Sequence, residues 1–154
     1  MSALVDPYRR TGRLEGRCLC GAVTVIVEGD HVAAVGVCHC DMCQRWTGGI
    51  FGVFTASADA VSVTGPVGSH ASSEFSERSF CRTCGSHLWM RDTVGAAADY
   101  ELMPGIFPAA RDFPLVSEIY ADVAPAYAVL EGAERRATKA EYEASHRFVP
   151  GDVS

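Results

Sequence analysis

At 154 residues, 48% of them hydrophobic, the chain is long enough to bury a core and short enough to be one domain. Nineteen acidic residues against 13 basic ones leave a formal charge of −6, and no Lys/Arg run occurs, which argues against a nucleic-acid binder. No apolar run approaches the ~18 residues of a membrane span, and the opening residues MSALVDPYRR form no apolar leader, so a cytoplasmic, reducing environment is expected.

Residues 1–13, with Pro7 and Arg9-Arg10, read as a flexible arm. Leu14 to Cys20 suits a strand, and Val23 to Glu28, rich in β-branched residues, is a clear one. Gly29-Asp30 is expected to turn the chain, with Val32 to Val37 returning as a hairpin partner that ends at Cys38. Gln44 to Gly49 reads as a loop or short helical turn, and Ile50 to Thr55 as a strand. Ala60 to Thr64 alternates like a strand and is closed by Gly65-Pro66, while residues 68–74 are small and polar and read as a loop. Phe75 to Phe80 and His87 to Met90 are expected to pair antiparallel with a cysteine turn at their tip. Gly95 to Ala98 reads as a turn, Tyr100 to Met103 as a short strand, Pro104 to Pro114 as a loop, and Val116 to Ala121 as the last strand. After Leu130 the composition becomes charged and Ala-rich, with only a weak apolar stripe. The expected fold is therefore mainly β, a single domain of short antiparallel strands over 14–130, with a helical extension or tail over 131–154.

All seven cysteines fall in three blocks: Cys18-Leu19-Cys20, Cys38-His39-Cys40-Asp41-Met42-Cys43 and Cys81-Arg82-Thr83-Cys84. An odd count without a leader argues against a disulfide framework, and clustering this tight argues against inert core thiols. Zinc suits thiolates: four close a structural site, and three leave a position open. Cys81-x-x-Cys84 with Gly85 behind it reads as a metal knuckle, and Cys18 and Cys20, two residues apart, share a face of an extended segment. Joining these pairs leaves Cys38, Cys40 and Cys43 as an incomplete trio, although spacing alone also permits Cys38 and Cys40 to partner the knuckle.

Gly16 to Val23, Cys38 to Arg45 and Ser79 to Ser86 together resemble the glutathione-dependent formaldehyde-activating enzyme family, over roughly residues 14–127. The resemblance implies a zinc-bearing β-tent fold and the four-plus-three partition. In it Cys18, Cys20, Cys81 and Cys84 hold a structural zinc, while Cys38, Cys40 and Cys43 are the catalytic residues on a reactive zinc. It also implies condensation of formaldehyde with glutathione to S-hydroxymethylglutathione, a carbon–sulfur lyase reaction, with glutathione as co-substrate. The partners expected are thus a small thiol and a small electrophile. Near the end of the domain, where the family often carries a His and a Trp, this chain has Glu118 and Tyr127.

Around the trio, Asp41, His39 and Arg45 are the local acid/base candidates, and Arg45 is also placed to meet a carboxylate of glutathione. His39 lies between two ligands of one face and is expected to point away from them. Trp46, Phe51 and Phe54 are candidate pocket walls, with Phe54 read as core, and His87 reads as structural. Three thiolates outweigh the charge of one zinc ion, which makes it a weak Lewis acid that favours ligand exchange, so glutathione is expected to compete for the second ion and leave that site partly occupied. A thiol carrier or zinc-buttressed binding module without turnover is the rival reading.

Overall fold

The structure, a computed structural model, describes residues 2–95 and 98–150. Its elements run α1 (Ser2–Val5), β1 (Arg9–Arg17), β2 (Thr24–Val32), β3 (Val35–Cys38), α2 (Asp41–Thr47), β4 (Phe51–Ala56), β5 (Val61–Thr64), β6 (Val67–Ala71), β7 (Ser76–Cys81), β8 (His87–Asp92), β9 (Tyr100–Leu102), β10 (Leu115–Ile119), β11 (Arg135–Ala137) and α3 (Lys139–Glu143). The chain is mainly β and forms two compact, interleaved units. The first takes the chain up to Ala34 and Val53–Phe113; the second takes Val35–Gly52 and the chain from Pro114 on.

In the first unit, β1 and β2 pair antiparallel from Arg9↔Val32 to Arg17↔Thr24. Val23, Val25 and Val27 are completely buried while the residues between them face outward, the period of two that a one-sided strand requires. Two expectations are corrected here. Arg9 to Arg13 belong to β1 rather than to a loose arm, because Thr11 Oγ1 donates to Asp30 Oδ1 and Arg13 pairs with Glu28 at 3.2 Å across the ladder. Gly29-Asp30 also does not turn the chain: β2 runs on to Val32, with Gly29 at φ 146° where any Cβ would strike Ala60.

β5 continues this ladder on β2. A second ladder runs β4-β9-β8-β7-β6, all antiparallel. Residues 67–71 are strand β6, not loop: Ser69 Oγ and Ser79 Oγ lie 2.7 Å apart across it, and Gly68 leaves room for the Phe80 ring. The expected turn at 95–98 lies partly outside the described residues. Residues 104–112 fold into two 3₁₀ turns begun by Pro104 and Pro108, and they drop Phe107 into the core. There Phe107 and Phe113 meet Phe54 edge-on at 5.1 and 5.4 Å.

In the second unit β10 is flanked by β3 and β11, and both pairs are parallel. The expected all-antiparallel pattern fails here for a topological reason. The chain leaves β3 and returns to β10 only after the long excursion through the first unit, and a connection of that length permits parallel pairing. β3 accordingly takes β10, not β2, as a partner. The C-terminal stretch is strand β11 followed by a short helix, α3, started by a capping box at Thr138 and Glu141. Among the described residues no helix is long and apolar enough to cross a membrane.

Candidate metal centres

The first unit gathers Cys18, Cys20, Cys81 and Cys84, whose sulfurs all lie within 4.8 Å of one another. Two turns achieve this. Residues 18–21 leave β1 as a turn closed by Gly21 N–H on Cys18 O at 3.0 Å, so Cys18 and Cys20 converge by turning rather than by sharing a strand face. Cys81 to Gly85 form the knuckle between β7 and β8, closed by Gly85 N–H on Cys81 O at 2.8 Å. Gly21 and Gly85 sit at φ 78° and 77°, the left-handed conformation that ends each turn. Ser86 ties the turns together: its Oγ accepts Leu19 N–H at 2.9 Å and lies 3.2 Å from Cys84 Sγ.

The sulfurs test whether zinc fits. A tetrahedron with Zn–S bonds of about 2.3 Å has edges of about 3.8 Å. Cys18 and Cys20 are 3.6 Å apart, and Cys20 and Cys81 are 3.8 Å apart. These separations match the tetrahedron and far exceed a disulfide bond of about 2 Å. Charge agrees with geometry. Ser86 hydrogen bonds hold Cys84 down to about 5, whereas Cys20, helped by the Ala22 N–H but burdened by burial and its three neighbouring sulfurs, is pushed up to about 12. Four sulfurs so close resist common ionisation until a cation compensates them.

The second unit gathers Cys38, Cys40 and Cys43, again within 4.8 Å. Cys38 ends β3, Cys40 caps the start of α2 in an extended conformation, and Cys43 lies buried in its first turn. Gly48, at φ 71°, closes α2 through Gly48 N–H on Gln44 O at 2.8 Å. Cys40 and Cys43 together with burial push the Cys38 thiol well above its usual range. Among the described residues no fourth Cys, His, Asp or Glu joins this group. The sulfurs thus fall into the quartet and trio, not into the alternative pairing of Cys38 and Cys40 with the knuckle.

His39 does point away from the sulfurs. It is buried, and its Nε2 lies 2.9 Å from Oε1 of the fully buried Glu118. Glu118 Oε2 lies 2.8 Å from Arg136 Nε, a close ion pair whose geometry is off-axis for a hydrogen bond. His39 N–H donates to Ile119 O at 3.1 Å, and Gln44 Nε2 donates to His39 O at 2.5 Å. The other candidates separate. Arg45 is exposed and paired with Asp41 at 2.9 Å, one helical turn away. Phe51 and Phe54 are buried; Trp46 is partly buried; His87 sits partly buried on β8. Tyr127 is exposed. A surface cavity of about 320 Å³ lies in the first unit, lined in part by Arg10, Asp30, His31 and Asp99, and holds no cysteine.

Two residues escaped sequence reasoning. Tyr120, buried at a left-handed φ of 55°, hydrogen-bonds Glu143 at 3.2 Å; burial, Glu143 and then Cys40 and Cys38 push its phenol far above the usual range. Arg136 lies in the stretch read as helix or tail. A signal was available in β10: Val116 and Glu118 occupy its inward phase, and a carboxylate there demands a partner.

Comparison with known proteins fits this arrangement. The family model described as glutathione-dependent formaldehyde-activating enzyme matches residues 13–122. A Schizosaccharomyces pombe protein named only as an uncharacterized lyase is 38% identical over 84 residues, 53% of this chain and 59% of that protein. A Halomonas elongata protein provisionally named a glutathione-dependent formaldehyde-activating enzyme is 33% identical over 88 residues, 51% of this chain and 56% of that protein. The chain thus spans under two thirds of the length of these curated relatives. The crystal structure of a Rhodobacter sphaeroides protein superposes with a TM-score of 0.52 at 24% identity, covering 66% of this chain and 99% of that one, a likeness of fold. With its family match extending over both cysteine groups, the chain belongs to the glutathione-dependent formaldehyde-activating enzyme family.

Proposed function

We propose that the chain adds glutathione, or a related thiol, to formaldehyde or a similar small electrophile at Cys38, Cys40 and Cys43. In that reaction a C–S bond forms, the carbonyl becomes a hydroxyl, and the thiol proton ends on its oxygen. The observation that carries this reading is the incomplete donor set: three sulfurs within 4.8 Å, and no fourth ligand among the described residues. Bound zinc supplies a positive centre that favours the anionic form of a thiol entering its open position. The chain's own part is to hold the three sulfurs, with Cys40 and Cys43 withdrawn from solvent, and to keep competing protein ligands away. Cys18, Cys20, Cys81 and Cys84 act as the structural site.

A carrier without turnover is the second reading, and one observation favours it. Asp41 and Arg45 pair with each other, and the His39 ring is engaged by Glu118, so the local acid/base candidates are all occupied. One experiment separates the two. Formaldehyde loss with glutathione is followed by NMR against a buffer blank, for wild type and Cys40→Ser. An excess over the blank that Cys40→Ser removes supports the enzyme; no excess, with glutathione still bound, supports the carrier.

A further inference from the structure

The segment that completes the second unit lies beyond residue 122, where the family match ends. There β11 adds to β10 in parallel, with Glu118 opposite Arg136, while on the other side of β10 Ile119 sits opposite Cys38. One strand thus connects a late arginine to the cysteine trio. Glu118, 0% exposed, stands at the junction, with His39 on one oxygen and Arg136 on the other. A carboxylate so far from water needs a donor and a counter-charge, and these two residues provide them.

His39 is fixed at three points: its ring by Glu118, its N–H by Ile119 O and its carbonyl by Gln44. Its neighbours in the chain are Cys38 and Cys40. Planar peptides join the three residues, so a movement of His39 carries one or both sulfurs with it.

We propose that Arg136, Glu118 and His39 form a positioning relay that holds Cys38 and Cys40 in ligand geometry, so that β11 sets the trio's affinity for its metal. The relay rests on reading the trio as a metal site. None of the three is a ligand; each acts through the backbone that carries the sulfurs. Groups that orient metal ligands in this way typically change metal affinity by ~10–100-fold when removed.

The test uses the full chain loaded with zinc, or with Co²⁺ as a spectroscopic probe, titrated against a chromophoric chelator. Wild type is expected to release two ions in separate steps. Arg136→Ala and Glu118→Gln should weaken one of the two by ~10–100-fold and leave the other unchanged. They should also shift the Co²⁺–thiolate charge-transfer bands of the affected site. Arg136→Lys, which keeps the charge, should recover most of the affinity. Arg136 is half exposed, so its variant tests the relay even if Glu118→Gln fails to fold. Two ions in wild type with unchanged affinities in Arg136→Ala overturn the relay and leave the trio standing as a metal site. Equal weakening of both ions marks a general loss of stability and likewise overturns it. A wild type that binds one ion overturns the reading of the trio and the relay with it.

Discussion

Cys18, Cys20, Cys81 and Cys84 sit on two short turns joined by Ser86, whereas Cys38, Cys40 and Cys43 sit where a strand ends and a helix begins. The quartet reaches the surface: Cys20 is exposed and Cys84 half-buried. The trio is more enclosed, with Cys40 and Cys43 buried, and it has buried polar residues behind it. On the proposed reading the same side chain therefore serves two purposes. A saturated set of four sulfurs needs no shielding, because no position is left to compete for. A set of three needs its surroundings to exclude further protein ligands and to hold the sulfurs without the fourth bond.

Substitution is the sharpest way to break this contrast. Cys81→Ala should abolish folding, since a structural zinc site contributes on the order of 10 kcal/mol, comparable to a domain's whole stability; circular dichroism of the purified variant checks it. Cys43→Ser should instead fold and lose one zinc ion by native mass spectrometry, together with any formaldehyde consumption above the blank. If Cys43→Ser unfolds as Cys81→Ala does, the two sites are not different in kind.

The next effect concerns the quartet's unit alone. Burial pushes Glu101 up to about 7, opposed by a hydrogen bond from Thr55 and assisted by Asp99 and Asp92. A carboxyl whose folded value exceeds its ordinary 4.5 favours the folded state below that pH, and the advantage fades as pH rises through 7. Wild type should lose stability across this window, by less than about 3 kcal/mol because the side chain is partly exposed. Glu101→Gln should flatten the denaturation midpoint over the same range. The smallest effect lies in the trio's unit. Thr138→Ala removes the side-chain cap that accepts Glu141 N–H at the start of α3, and should cost about 1 kcal/mol by urea unfolding. Zinc content should stay at two, which separates loosening of α3 from damage to the trio.

Much of this was legible in the chain. The knuckle at Cys81–Gly85 carries its geometry in its spacing, and the hairpin of β7 and β8 was expected because such a knuckle commonly sits at a hairpin tip. The branched residues from Val23 to Val27 announce a strand. The rest was hidden for stated physical reasons. Gly29-Asp30 has turn composition, yet cross-strand partners carry β2 straight through it. Residues 67–71 have loop composition, and only pairing with β7 makes them a strand. Parallel pairing of β10 with β3 and β11 joins residues far apart in the chain, which no local pattern reports. For the site, the grouping of cysteines was readable, and Glu118 in the inward phase signalled a partner, but only the fold shows that His39 and Arg136 are that partner.

The interleaving of the two units has a temporal side. As the chain emerges from the ribosome, the quartet is complete once Cys84 has appeared, whereas on the proposed relay Cys38, present long before, waits for Arg136. At about 5–20 residues per second, that delay lasts seconds, during which the early thiols meet whatever metals and oxidants the surroundings offer. On the proposed relay, the trio therefore matures later in synthesis than the quartet.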